Sequence, residues 1–141
     1  MTRLLIFLTL LMGSAWAEVL TQTLHPAAHR ALWDDTLPGN GLLLVTLGGT
    51  RSQPQDLESL QRVATRLGYR VLALDYPNHV ISTACRESPQ ADAFDRFRSE
   101  IVEGKAVRDL VEVDAANSIQ GRIQNSLQEL AEGSDAAIWK P

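Results

Sequence analysis

Cysteine is almost absent: Cys85 is the only one in 141 residues. No disulfide can close within the chain, so its stability must come from packing. Histidine is scarce as well, limited to His25, His29 and His79, and aromatic residues make up 6% of the sequence. There is no basic excess. Thirteen Lys and Arg against seventeen Asp and Glu leave a formal charge of -4, which offers no electrostatic footprint for nucleic acid. No internal repeat or low-complexity stretch is visible. Composition is otherwise ordinary, at 45% hydrophobic and 21% charged, and fits one globular domain without naming a function.

The one long apolar run stands at the N-terminus. Arg3 precedes "LLIFLTLLM", and the small residues Ala15 and Ala17 follow. This is the pattern of a secretory signal peptide over residues 1–17, cut after Ala17. The run breaks at Gly13 and Ser14, short of the roughly 18 apolar residues that span a bilayer. The expectation is therefore an exported protein, periplasmic or secreted, with no stable membrane anchor and a mature domain over residues 18–141.

The clearest element is "LLLVTL", Leu42 to Leu47, an unbroken apolar run of strand length. Such a run predicts a strand covered on both faces in a parallel sheet. Gly48 and Gly49 follow, and then Ser52, Pro54 and Gln55 read as N-cap, first-turn proline and capping-box partner of a helix. Leu57, Leu60, Ala64 and Leu67 give that helix an apolar stripe, and Gly68 suits its C-terminal cap. A second apolar strand, about Arg70 to Asp75, completes a βαβ unit that should cross over right-handedly. The fold class is α/β.

Signals on either side are weaker. "EVLTQTL" reads as a strand with poor alternation, and Asn40-Gly41 as a hairpin entry. Beyond a polar loop, Phe94, Phe97 and Ile101 mark one face of a short helix stopped by Gly104. A longer helix follows, with Asp114 as its N-cap and a stripe of Ile119, Ile123, Leu127 and Leu130 ending near Gly133. "AAIWKP" looks like the approach to another strand.

The glycine turn admits several chemistries. Two are excluded by spacing. "GGTRSQPQ" lacks the second glycine and the lysine of a P-loop, and it lacks the third glycine of a dinucleotide fingerprint. An anion at the helix N-terminus beside Arg51, an oxyanion loop, and a plain strand-to-helix bend all stay open. His25 and His29 are four apart and would share a helix face, but two histidines without a third ligand make a poor zinc site. No metal or cofactor is expected. His79, just after a strand, reads either as functional or as a solvent-facing loop residue, and Cys85 has neither a nucleophile elbow nor an identifiable base.

Four stretches, "LLLVTLGGT", "LESLQRVATRLGYR", "VLALDYPN" and "VDAANSIQGRIQNSLQEL", together resemble the N-terminal half of exported bacterial α/β-hydrolase-like proteins. The resemblance runs from about Gly41 to Leu130. It implies a serine-hydrolase-type fold in which the backbone amides near Gly49 and Thr50 are candidate oxyanion donors. It also implies a parent activity of ester or amide hydrolysis through a serine. The chain departs from that pattern in one respect. A nucleophile elbow, G-x-S-x-G, must be followed by an acid and then a histidine, and Ser14, Ser52, Ser59, Ser82, Ser88, Ser99, Ser118, Ser126 and Ser134 all lack the flanking glycines.

No catalytic residue is therefore assigned within this chain. The expectation is a partial α/β-hydrolase-like fold, a βαβ core plus C-terminal helices lacking the downstream half, and inactive alone. Its open sheet edges would be filled by the missing C-terminal half or by self-association. The alternative is a non-catalytic exported binding module that uses those same edges.

Overall fold

The computed structural model describes residues 19–105 and 110–139; residues 1–17, expected from the sequence to be a signal peptide, lie outside them. A hairpin comes first, made of β1 (Val19–Leu24) and β2 (His29–Asp34), antiparallel with Leu24 opposite His29. Then β3 (Leu43–Leu47) leads through a 3-10 turn at Pro54–Leu57 into α1 (Glu58–Arg66), and the chain returns as β4 (Arg70–Leu74). The remaining elements are a 3-10 segment at Ser82–Glu87, α2 (Ala93–Glu103), α3 (Ile119–Glu132) and the short α4 (Ala136–Trp139). The strand order is β1-β2-β4-β3. The sheet is mixed: β3 and β4 are parallel, with Leu43 opposite Arg70, and β2 meets β4 antiparallel.

Side-chain alternation in β4 explains how the layers are held. Val71 and Ala73 face one side with Val19, Leu32 and Ala64, under α1. Leu72 and Leu74 face the other, with Leu24, Trp33, Leu130 and Trp139, under α3 and α4. A smaller cluster joins Cys85, Phe97, Ile101 and Val113 between α2 and the segment before α3. The expected βαβ unit is present as β3, α1 and β4, and its two strands form one end of the sheet.

Several local expectations give way. "LLLVTL" is not covered on both sides, because β3 forms the end of the sheet: Leu42 is 55% exposed, Leu43 39% and Leu47 42%. Helix α1 is rotated from the expected stripe. Leu60 and Leu67 face solvent while Gln61, Ala64 and Thr65 are buried. The Gln61 amide explains the rotation, since its Nε2 donates to Pro54 O at 2.7 Å and to Thr46 Oγ1 at 3.1 Å beneath the helix. Small and hydrogen-bonded residues let the helix lie close on the sheet.

Two caps and one turn also differ. Gln53, not Ser52, precedes the first turn, and its N–H donates to Asp56 Oδ2 at 2.9 Å. Helix α3 is capped by Ser118, whose Oγ accepts from Gly121 N, while Asp114 Oδ1 accepts from Asn117 N in the turn before it. Asn40-Gly41 is no hairpin turn. Asn40 instead ties the end of α1 to the start of β3, donating from Nδ2 to Leu67 O and from its backbone N–H to Gly68 O, with Leu42 N–H donating to its Oδ1. The "AAIW" of the expected strand is α4. These short polar side chains bond whichever backbone group the tertiary path brings near, and sequence order alone does not select it.

Candidate functional site

The turn after β3 is held by its carbonyls. Gly48 O accepts from Tyr76 Oη at 2.6 Å. Gly49 O accepts from Ser52 Oγ at 2.7 Å, from Asn78 Nδ2 at 2.9 Å and from Ser52 N at 3.1 Å. Asn78 closes the loop further, its Nδ2 donating to Ser52 O and its O accepting from Arg51 N at 3.0 Å. Arg51 meets that bond with φ of 63°, the left-handed region that costs a side-chain-bearing residue energy and collects at functional loops.

A planar trans peptide points its N–H opposite its C=O. Fixing the carbonyls of Gly48 and Gly49 therefore aims the amides of Gly49 and Thr50 away from Tyr76, Ser52 and Asn78. Neither amide meets an acceptor among the described residues. Both residues are exposed. The result is a pair of successive, oriented N–H donors at the C-terminal end of a parallel strand, the place where α/β sheets bind ligands.

The two glycines have different surroundings. A Cβ on Gly48 would lie 1.9 Å from Ser52 Oγ, so a side chain there would displace the Ser52 hydroxyl that donates to Gly49 O. A Cβ on Gly49 would meet nothing within 4 Å. No packing contact in the fold requires glycine at that position.

Beside the turn, a polar cleft of about 580 Å³ opens past the end of β4, lined by Asp75, Tyr76, His79, Asp114, Asn117 and Arg122 among others. Arg122 braces it. Its Nε donates to Asn117 O at 2.8 Å, its Nη2 to Asn117 Oδ1 at 3.2 Å and its Nη1 to Asp75 O at 3.1 Å. His29 supports the same strand end from β2, where its Nδ1 accepts from Asp75 N at 3.0 Å. Burial, with the nearby Arg122 charge, holds the His29 imidazole below its ordinary pKa, against a smaller opposing pull from Asp75. Accepting through Nδ1 leaves the neutral ring its proton on Nε2. Tyr76 is shifted the other way: burial raises its phenol above the usual value and keeps it an O–H donor to Gly48.

Gly49 and Thr50, named from the sequence as candidate donors, lie exposed in this turn. The structure separates the histidines. His25 sits in the hairpin turn, His29 is buried on β2 and no helix carries both; His79 lines the polar cleft. Cys85 is buried against the α2 cluster. Among the described residues, no three His, Cys, Asp or Glu side chains are grouped to hold a metal ion. Sequence reasoning gave no role here to Tyr76, Asn78 or Arg122, and it named His29 only as half of a poor zinc pair. The "DYPN" stretch after a strand was the one signal for the first two, and nothing local marked the others.

No protein-family model, curated protein or solved structure matches this chain. The class that fold and site define is a mixed α/β domain with a four-stranded sheet and an amide-bearing turn at its end strand. None of its described helices is long and apolar enough to cross a membrane.

Proposed function

We propose that this chain is the N-terminal half of an exported α/β-hydrolase-type domain, and that it contributes the Gly49 and Thr50 amides as oxyanion donors but no nucleophile, acid or base. The observation that carries this reading is the pair of outward N–H groups whose carbonyls are both pinned. The strand arrangement supports it. β3 is an open, uncharged edge, and a strand added parallel to it would end beside the Gly48–Thr50 turn. A serine at that strand's end would face the amides. The run "LLIFLTLLM" with Ala15 and Ala17 supports export.

The chemistry follows from placement. A serine hydroxyl adds to an ester or amide carbonyl carbon, giving up its proton to a histidine, and the carbonyl oxygen becomes an oxyanion. Donors already aimed at that oxygen need no reorganisation, and one such donor is worth about 10²–10³ in rate. Alone, this chain supplies the donors without the attacking group and should be inactive.

The test is to sequence beyond the Pro141 codon and coexpress the downstream frame. A strand followed by G-x-S-x-G, whose product together with this chain hydrolyses a nitrophenyl ester in a fluorophosphonate-sensitive way, is the expected result. A downstream frame with no such elbow overturns the reading. The second reading, a non-catalytic exported interaction module, is favoured by the exposed Leu42, Leu43 and Leu47. A cooperative unfolding transition and a defined oligomer for the chain without any companion would favour it.

A further inference from the structure

Arg70 is an arginine without a counterion. Arg30, Arg62 and Arg122 each stand within 4.0 Å of a carboxylate, on Glu58 or Asp75. No acidic side chain among the described residues pairs with Arg70, and its Nε and Nη1 are buried without an acceptor. An uncompensated buried charge is strongly destabilising, and nothing within the described chain offsets this one.

Its surroundings are apolar. Arg70 opens β4 opposite Leu43 of β3. Leu72 and Leu74 face α3 and α4, and by alternation Arg70 faces the same way. There it lines an apolar groove of about 740 Å³ with Leu42, Leu43, Leu127, Ile138 and Trp139. Trp139 Nε1 is a second buried donor without a partner. A wall of this kind complements an apolar surface that carries an acceptor, and the guanidinium fork matches a carboxylate best.

From these features we infer that the strand received by the β3 edge brings an aspartate or glutamate to Arg70, at or just before the position opposite Leu43. The inference rests on the proposed strand addition and names the chemistry that this addition must bring. The reach is adequate. Neighbouring strands lie about 4.8 Å apart, which puts that position roughly 10 Å from Arg70 at Cα, a span that an arginine and an acidic side chain cover together. Val45 packs on the α3 side of the sheet and Leu43 shares its face, so a residue opposite Leu43 turns its side chain toward the groove. "LLVTL" itself contains no acid, and a second copy of β3 therefore cannot answer Arg70. A strand lacking an acid there leaves the guanidinium buried and unpaired, so one residue selects both the partner and its register.

Arg70→Met keeps the apolar stem and removes the charge, and its two effects should have opposite signs. In the chain alone the melting temperature should hold or rise, because no partner is lost. In the complex with the coexpressed downstream product, followed by sedimentation velocity over a dilution series, the dissociation constant should weaken at least about tenfold. Arg70→Glu should weaken it further, and arginine in place of the acid at the start of the downstream strand should restore it. A lower melting temperature for Arg70→Met alone would place the partner of Arg70 within this chain and overturn the inference. A complex indifferent to Arg70→Met, a charge swap that restores nothing, or no complex at all would overturn it equally. Fluorophosphonate labelling of the complex separates the two claims: a labelled complex that ignores Arg70→Met sinks this inference alone, and an unlabelled complex that depends on Arg70 sinks the hydrolase activity alone.

Discussion

The phenol of Tyr76 donates to the carbonyl of Gly48 at 2.6 Å, and this bond between the end of β4 and the end of β3 keeps the Gly49 amide turned outward. Tyr76→Phe removes the donor and leaves a partly buried carbonyl unpaired. The variant should lose about 0.5–1.5 kcal/mol of unfolding free energy, read from a denaturant titration. The raised phenol pKa gives the same bond a pH signature. A proton held more tightly when folded stabilises the fold up to the unfolded value near 10, and that stability fades as pH rises through the higher folded value. The fading should be absent in Tyr76→Phe.

The two glycines of the turn should respond oppositely to the same change. Gly48→Ala drives a Cβ to within 1.9 Å of Ser52 Oγ and should cost about 1–3 kcal/mol, the range of a forced overpacking. Gly49→Ala meets open space and should change stability by less than about 0.5 kcal/mol. Equal losses would mean that Gly49 is there for packing.

His29 sets an acid limit. Its folded pKa lies below the unfolded value, so the unfolded chain binds the extra proton more readily. Stability is then full above about pH 6.5 and declines as pH falls below it. Thermal melts across that window should show the decline, and His29→Gln should flatten it. A slope unchanged by the substitution would assign the acid sensitivity to other groups.

Arg122 joins α3, the 114–117 turn and β4 through three hydrogen bonds. Arg122→Ala should destabilise by about 1.5–3 kcal/mol, the range for bonds to a charged group, measured by urea unfolding. Arg122→Lys should recover only part of this, because an ammonium cannot reproduce the planar fork that reaches Asn117 and Asp75 together.

How much of this was legible in the sequence depends on distance along the chain. The run Leu42–Leu47, the glycine pair and the strand from Arg70 announce themselves because unbroken apolar runs of strand length stand beside turn residues. The position of β3 at the sheet end was not legible, since an end strand and a central strand can be written in the same leucines and valines. The face of α1 was misread for a related reason: buried Gln61 is held by its Nε2, which donates to Pro54 O and Thr46 Oγ1, and no periodicity rule assigns a glutamine to the inside. At the candidate site, Gly49 and Thr50 were named from the glycine turn and the resemblance it shares in. Tyr76 and Asn78 reach that turn from 28 and 29 residues away, and only the parallel pairing of β3 with β4 brings them there.

The central claim is that this chain carries oriented amides without a nucleophile to use them. Intact-mass analysis of the purified chain after treatment with a fluorophosphonate probe tests it most directly. The account predicts no adduct and no ester hydrolysis above the buffer rate; a stoichiometric adduct on any serine of this chain, accompanied by loss of a measurable esterase activity, would contradict it.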